Sequence, residues 1–168
     1  MRAILNKIYH IELVIGSIAL SGVVLVNVVN VILRYLPNIS PLIGAEDITQ
    51  TFFCWMIFIG ASVAYGEGMH YGMDLLVERM HGKLKTYWML GINIVVLAAS
   101  IFLAVESYVL MINVSAKVTG TLRIPYWIID MAPLLGFFFM TIHGVDRVVT
   151  GIRDLSEEIK VSRRTSGK

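Results

Sequence analysis

One cysteine in 168 residues, Cys54, excludes a disulfide or a cysteine-built metal cluster within a single chain. Glycine-rich nucleotide loops, a nucleophile elbow and zinc-ligand spacing are absent, so enzyme chemistry lacks a starting motif and no cofactor is called for. No internal repeat is visible, which removes support for an inverted-repeat carrier built from this chain alone. Charge is missing over long stretches: Leu13 to Leu33 has none over 21 residues, Ile48 to Gly66 none over 19, and Thr86 to Val105 none over 20. A fourth run, Ile124 to Val145, is broken only by Asp130 and His143. Each run is long enough to cross a ~30 Å hydrocarbon core as a helix. With 57% hydrophobic residues, little chain remains for a soluble domain. The expected fold is an all-α polytopic membrane protein, a single membrane domain over 1–168 with spans near 11–35, 47–66, 85–115 and 124–150.

Lys and Arg set the expected orientation, because cytoplasmic flanks retain positive side chains. With the N-terminus inside, eleven basic residues fall on the inner side: Arg2, Lys7, Arg79, Lys83, Lys85, Arg147, Arg153, Lys160, Arg163, Arg164 and Lys168. Three, Arg34, Lys117 and Arg123, fall outside. Both termini are therefore expected in the cytoplasm of a multi-pass protein of a bacterial inner membrane. Aromatic rings agree, with Tyr9, Tyr65, Tyr87 and Trp88 at the inner boundary and Tyr35, Tyr108, Tyr126 and Trp127 at the outer one. A net charge of +2 reflects this topology and gives no sign of nucleic acid. The first run exceeds a signal-peptide core and no clear A-x-A site ends it, so an uncleaved helix is expected.

Pro37, Pro41 and Gly44 close a short hairpin between the first two helices. From Gly68 to Gly82, Met69, Met73, Leu76, Val77 and Met80 recur at helical spacing, with His70, Asp74, Glu78 and His81 opposite. That pattern predicts an amphipathic interfacial helix over about 68–82 at the inner membrane surface, facing lipid or a partner. The third helix continues past Glu106 through Val114. Pro125 suits the first turn of the fourth helix, and Pro133 predicts a kink within it. The charged tail from about 153 to 168 reads as a short cytoplasmic helical extension passing into disorder.

Polar groups inside spans need partners in hydrocarbon and so direct the search for function. Asn27, Asn30 and Arg34 share one face toward the outer end of the first helix. They suit either a docking surface for another helix or lipid head group, or a snorkelling arginine with asparagines bonded between helices. Gly16, Ser17, Ala19, Ser21 and Gly22, and again Gly60, Ala61, Ser62 and Ala64, allow close helix approach. His10 and His143 at similar depth allow a haem reading, against interfacial histidines bonded to water and head groups. His70, Asp74 and Glu78 make a weak metal stripe that a solvated face explains as well. Asp130, Glu106 and Asp47 fall near outer helix ends, where water contact and mutual pairing are expected, and no carboxylate falls at mid-membrane. Trp55 reads as a packing anchor.

Ala45-Glu46-Asp47, then Trp55-Met56-Ile57-Phe58-Ile59-Gly60-Ala61-Ser62-Val63-Ala64-Tyr65, then Gly68-Met69-His70-Tyr71-Gly72-Met73-Asp74-Leu75-Leu76 form a connected pattern. It resembles the DctQ-type small membrane subunit of tripartite ATP-independent periplasmic (TRAP) transporters. That pattern has an acidic residue opening the second helix, an apolar W…F-x-G-A-x-x-A run and G-x-H-x-x-x-D-x-L entering the cytoplasmic connection. Arg34-Tyr35 matches the R-Y that often ends the first helix, and the match is most specific over roughly residues 30 to 76. The resemblance implies a non-enzymatic subunit complexed with a large membrane transport subunit that holds the substrate and sodium sites, and served by a periplasmic substrate-binding protein. It implies sodium-driven uptake of an organic acid, sialic acid or a C4-dicarboxylate among the class. On that reading Asn30, Arg34, Glu46, Trp55 and Gly60 contact the large subunit, and His70 and Asp74 shape the interfacial helix, which meets membrane lipid. A haem-bearing anchor of a respiratory enzyme and a small self-associating exporter stand as alternatives.

Overall fold

A computed structural model describes residues 2–37, 40–67 and 83–166. The segment expected to form the interfacial helix, with His70 and Asp74, lies outside the described residues. Four helices make up the architecture: α1, Arg2–Tyr35; α2, Ala45–Glu67; α3, Lys83–Val114; and α4, Tyr126–Ser166. All four are long and apolar enough to cross a membrane. At ~1.5 Å per residue even α2, with 23 residues, reaches across the hydrocarbon, and the 41-residue α4 is about twice the thickness it must span.

The helices pack in a row. α1 lies on α2, α2 on α4, and α4 on α3, so the two central helices are the second and fourth in the chain. Small residues set how closely each pair approaches. A Cβ at Gly22 would meet the Phe52 ring at 2.9 Å, one at Gly136 would meet the Phe58 carbonyl oxygen at 2.7 Å, and one at Gly144 would meet Leu97 at 3.1 Å. Gly16 faces Ile59 at the same α1–α2 seam. α3 is joined to α4 by Thr141, whose hydroxyl donates to Ser100 Oγ at 3.1 Å. Outer faces of α1 and α3 expose a continuous series of large apolar side chains, among them Val24, Leu25, Val95 and Phe102, as hydrocarbon contact requires.

At one end of the row lie both chain termini; at the other lie the α1–α2 and α3–α4 loops. Leu42 to Ala45 closes the first loop in a turn with Ala45 N–H donating to Leu42 O at 3.2 Å and Gly44 at φ 79°. A type II turn requires that positive φ at its third position, which glycine adopts without Cβ strain. α3 ends at Val114, as its helical pattern predicts. Pro125 stands just before α4 rather than in its first turn: it pairs with Val118 in an isolated antiparallel bridge, and its carbonyl accepts from Ile128 N–H. α4 also runs unbroken to Ser166, where the sequence predicts a short extension and then disorder. No glycine or proline occurs between Ile152 and Ser166 to stop it, and Arg153 and Glu157 are placed at i, i+4.

Candidate functional site: a buried triad and an open polar trough

Near the termini end, the first three turns of α1 carry Glu12 into the seam with α2, and its side chain is 0% exposed. Glu12 shares its helix face with Gly16 and Ala19, at i+4 and i+7, and those small residues bring the backbone close enough to enclose it. Ser62 Oγ of α2 donates to Glu12 Oε1 at 2.6 Å, and His143 Nε2 of α4 lies 2.9 Å from Oε2. Nε2 and Oε2 share one hydrogen between them. Gly66 makes room for the imidazole, since a Cβ there would meet His143 Cε1 at 3.2 Å. One carboxylate thus ties three helices together across the centre of the row. The carboxylates that the sequence brings forward are Asp47, Glu106 and Asp130, and Glu12 is an addition of the structure. Glu12 adjoins the charge-free run, but α1 begins ten residues earlier, at Arg2, and places it inside the packed seam.

Around the triad a second layer joins the same helices. Tyr9 donates from its hydroxyl to Glu67 Oε1. Arg147 Nη2 of α4 donates to Gly66 O at 3.0 Å, and its guanidinium lies 5.4 Å from the Tyr65 ring centroid. α2 has no basic residue in its own last turn, so Arg147 supplies from a neighbour the cation that a helix C-terminus favours. Since His143 Nε2 faces Glu12 while His10 is exposed against the Tyr9 ring, the structure gives His143 a structural bond in place of the axial-ligand role considered from sequence.

Toward the loop end, α1 and α2 part to form a trough open on one face of the row. Asn27, Asn30, Glu46, Thr49, Gln50 and Phe53 line about 390 Å³ of it. The trough continues past Arg34, Pro41 and Thr121. Asn30 Oδ1 accepts from Leu42 N–H at 3.1 Å, tying α1 to the loop, and Asn27 Nδ2 donates to Val23 O at 2.7 Å and to Thr49 Oγ1 at 3.3 Å across the α1–α2 seam. Of the five residues expected at a partner interface, Asn30, Arg34 and Glu46 come together here. Gly60 lies further along α2, where a Cβ would meet nothing within 4 Å among the described residues, on an open face. Trp55 is turned inward. Its Nε1–H donates to Ile128 O of α4 at 3.1 Å, and its ring lines a separate apolar groove with Ile15, Ile18 and Phe52 on the opposite side.

The remaining carboxylates divide in the same way. Asp47, expected to pair or meet water, accepts from the Thr121 and Leu122 amides at 3.0 and 2.7 Å and so holds the two loops together. Among the described residues Asp130 keeps one oxygen enclosed without a hydrogen-bond partner, as does Asn93 on α3. Glu12, Ser62 and Arg147 were not singled out from sequence as a site. The register of Glu12 with Gly16 and Ala19 was the available signal.

The sequence that folds into this row of four helices, with a polar trough at one end and an internal triad at the other, has known relatives. The family of tripartite ATP-independent periplasmic transporters, DctQ component, matches residues 23–154. The chain belongs to this family. Among curated proteins it is similar to the C4-dicarboxylate TRAP transporter small permease protein DctQ of Vibrio cholerae, 33% identical over 53% of this chain and 38% of that protein. It is likewise similar to the protein of the same name from Rhodobacter capsulatus, 26% identical over 59% of this chain and 44% of that one. The chain thus spans less than half the length of either DctQ relative it matches. Within the family match lie the whole trough, the loop clamp of Asp47, and Ser62 and His143, whereas Glu12 precedes it. A DctQ component is a membrane subunit of a transporter, and the four apolar helices agree with a multi-pass inner-membrane protein.

Proposed function

We propose that this chain is the small membrane subunit of a sodium-driven TRAP system for organic-acid uptake, acting as a scaffold for a large transport subunit and for docking of a periplasmic binding protein. The family match carries the reading. A C4-dicarboxylate is the preferred cargo class because both named relatives are C4-dicarboxylate proteins, with sialic acid the other member of the expected class.

The arrangement suits a scaffold. A row of helices leaves its faces available along their length, whereas a carrier needs a site enclosed between repeats. The large subunit would seat on the open face of α2, where Glu46, Gln50, Phe53, Ile57 and Ala61 recur at three- and four-residue spacing beside Gly60. Arg34 and Asn30 would join it from α1 across the trough. Trp55 would act indirectly, by fixing α4 on α2 behind that face. Helix association in lipid depends on close packing and hydrogen bonds, and this face offers both. In the proposed orientation both termini are cytoplasmic and the loop end is periplasmic.

Affinity purification of the tagged chain from its native membranes in mild detergent, with mass spectrometry, tests the assignment. A larger polytopic protein recovered in near-equal amount is the expected result. Recovery of the chain alone, with transport by vesicles that contain no other protein, would replace the scaffold by an exporter.

A further inference from the structure

The α3–α4 loop is a hairpin closed by its own backbone bonds, and its turn leaves one side chain in an uncommon backbone conformation. Arg123 sits at φ 54°, in the left-handed region that a side chain with a Cβ rarely occupies. The bonds on both sides of it are made. Leu122 N–H donates to Asp47 Oδ2 at 2.7 Å, Ile124 N–H to Thr119 Oγ1 at 2.9 Å, and Thr119 N–H to Ile124 O at 2.9 Å. Leu122 is further pinned against Gly44, where a Cβ would fall 2.3 Å from Leu122 Cγ. Strain of this kind persists only where the surroundings over-determine it, and it concentrates at binding sites. Its product is an exposed guanidinium on a fixed stalk, with Lys117 exposed on the same hairpin and Val118 and Leu122 presenting apolar surface between them. Among the described residues neither Lys117 nor Arg123 has an acid within ion-pair distance.

We propose that this clamped hairpin is a docking surface for an acidic patch on a soluble partner protein, with Arg123 as the anchoring cation and Asp47 as the residue that positions it. The inference rests on the scaffold reading and names the chemistry of its periplasmic partner. Two unpaired cations flanking apolar side chains complement carboxylates around a shallow apolar notch, and such charge pairs steer association and fix register. A lipid phosphate is the other anion near such a loop. A snorkelling arginine reaches a phosphate through its flexible stem and has no use for a fixed, strained backbone. The hairpin also lies between the ends of the two spans, beyond Val114 and before Tyr126.

The test uses the complete complex of small and large subunits in lipid nanodiscs, with the soluble binding protein of the same system as probe and its association rate measured at low and high salt. Arg123→Ala should slow association roughly three- to tenfold and flatten its salt dependence, with the large subunit still present in equal amount. Arg123→Lys should retain most of the salt dependence, and Asp47→Asn should weaken association although it leaves Arg123 in place. Unchanged association in both Arg123→Ala and Lys117→Ala would overturn the proposal, as would loss of co-purifying anionic phospholipid from Arg123→Ala with docking intact. A wild-type chain that recovers no large subunit would overturn the scaffold reading itself, and that result is read from composition before any binding is measured.

Discussion

Glu12 carries a cost that only its partners offset. An ionisable group enclosed among membrane helices is retained when it is paired and hydrogen-bonded, and Ser62 and His143 meet both of its oxygens. Removing one member should therefore cost more than removing the pair. Glu12→Leu leaves His143 enclosed without its partner, and the expected loss is about 3–5 kcal/mol, read as a lowered midpoint of thermal unfolding in detergent. The double variant Glu12→Leu, His143→Leu should recover most of that loss, because it leaves only the Ser62 hydroxyl without its acceptor, and a serine in a helix can turn to the carbonyl one turn earlier. If the double variant is as unstable as the single one, the bond is not what Glu12 contributes. In sequence, Glu12 stands one residue before a charge-free run. Its enclosure depends on which way α1 is turned, and that depends on α2. Trp55 shows the same limit: its packing role was legible, but its hydrogen-bond acceptor, Ile128 O, lies 73 residues away.

Pairs of helices are separated by what their glycines permit, and two glycines that look alike in sequence differ completely in place. Gly136 abuts the Phe58 backbone, where a Cβ would come to 2.7 Å of a carbonyl oxygen that cannot move aside without its helix. Gly136→Ala should push α4 from α2 and lower stability by about 1–3 kcal/mol, measured on the isolated chain. Gly60 meets nothing within 4 Å, so Gly60→Leu should leave the isolated chain as stable as before. The four helices and their approximate lengths were legible because charge-free runs of that length have few other structures in lipid. The order in which they pack was not, since small residues occur on several faces and only contact selects among them. The loops follow the same rule. Gly44 marks a turn in sequence, whereas the bond from the α3–α4 loop back to Asp47 joins segments more than seventy residues apart.

At the scale of the molecule, the row of helices distinguishes surfaces that must face lipid from one suited to a partner. Gly60→Leu, neutral for the isolated chain, should reduce recovery of the large subunit from native membranes several-fold. Full recovery would move the interface away from the open face of α2. Orientation is a separate expectation, resting on eleven basic residues against three. A single cysteine placed at Lys117 in a Cys54→Ser background should react with an impermeant thiol reagent in intact spheroplasts, and one placed at Arg153 only after the membrane is opened. The reverse pattern would invert the assignment of the loop end and remove the proposed soluble partner from its reach.

The sequence by itself determined that the chain lives in a bilayer, that it crosses four times, and that it resembles a DctQ component, because hydrocarbon imposes run length, charge exclusion and helix on any spanning segment. It also brought Asn30, Arg34 and Glu46 forward as polar residues near helix ends. Only the tertiary structure decided that these three share a trough while Trp55 does not, that Glu12 holds three helices through one carboxylate, and that Asp47 holds the Thr121 and Leu122 amides beside Arg123. Each of those outcomes turns on the rotation of one helix against another. A helix presents all its faces in sequence at once, and close packing in three dimensions is what assigns each face its neighbour.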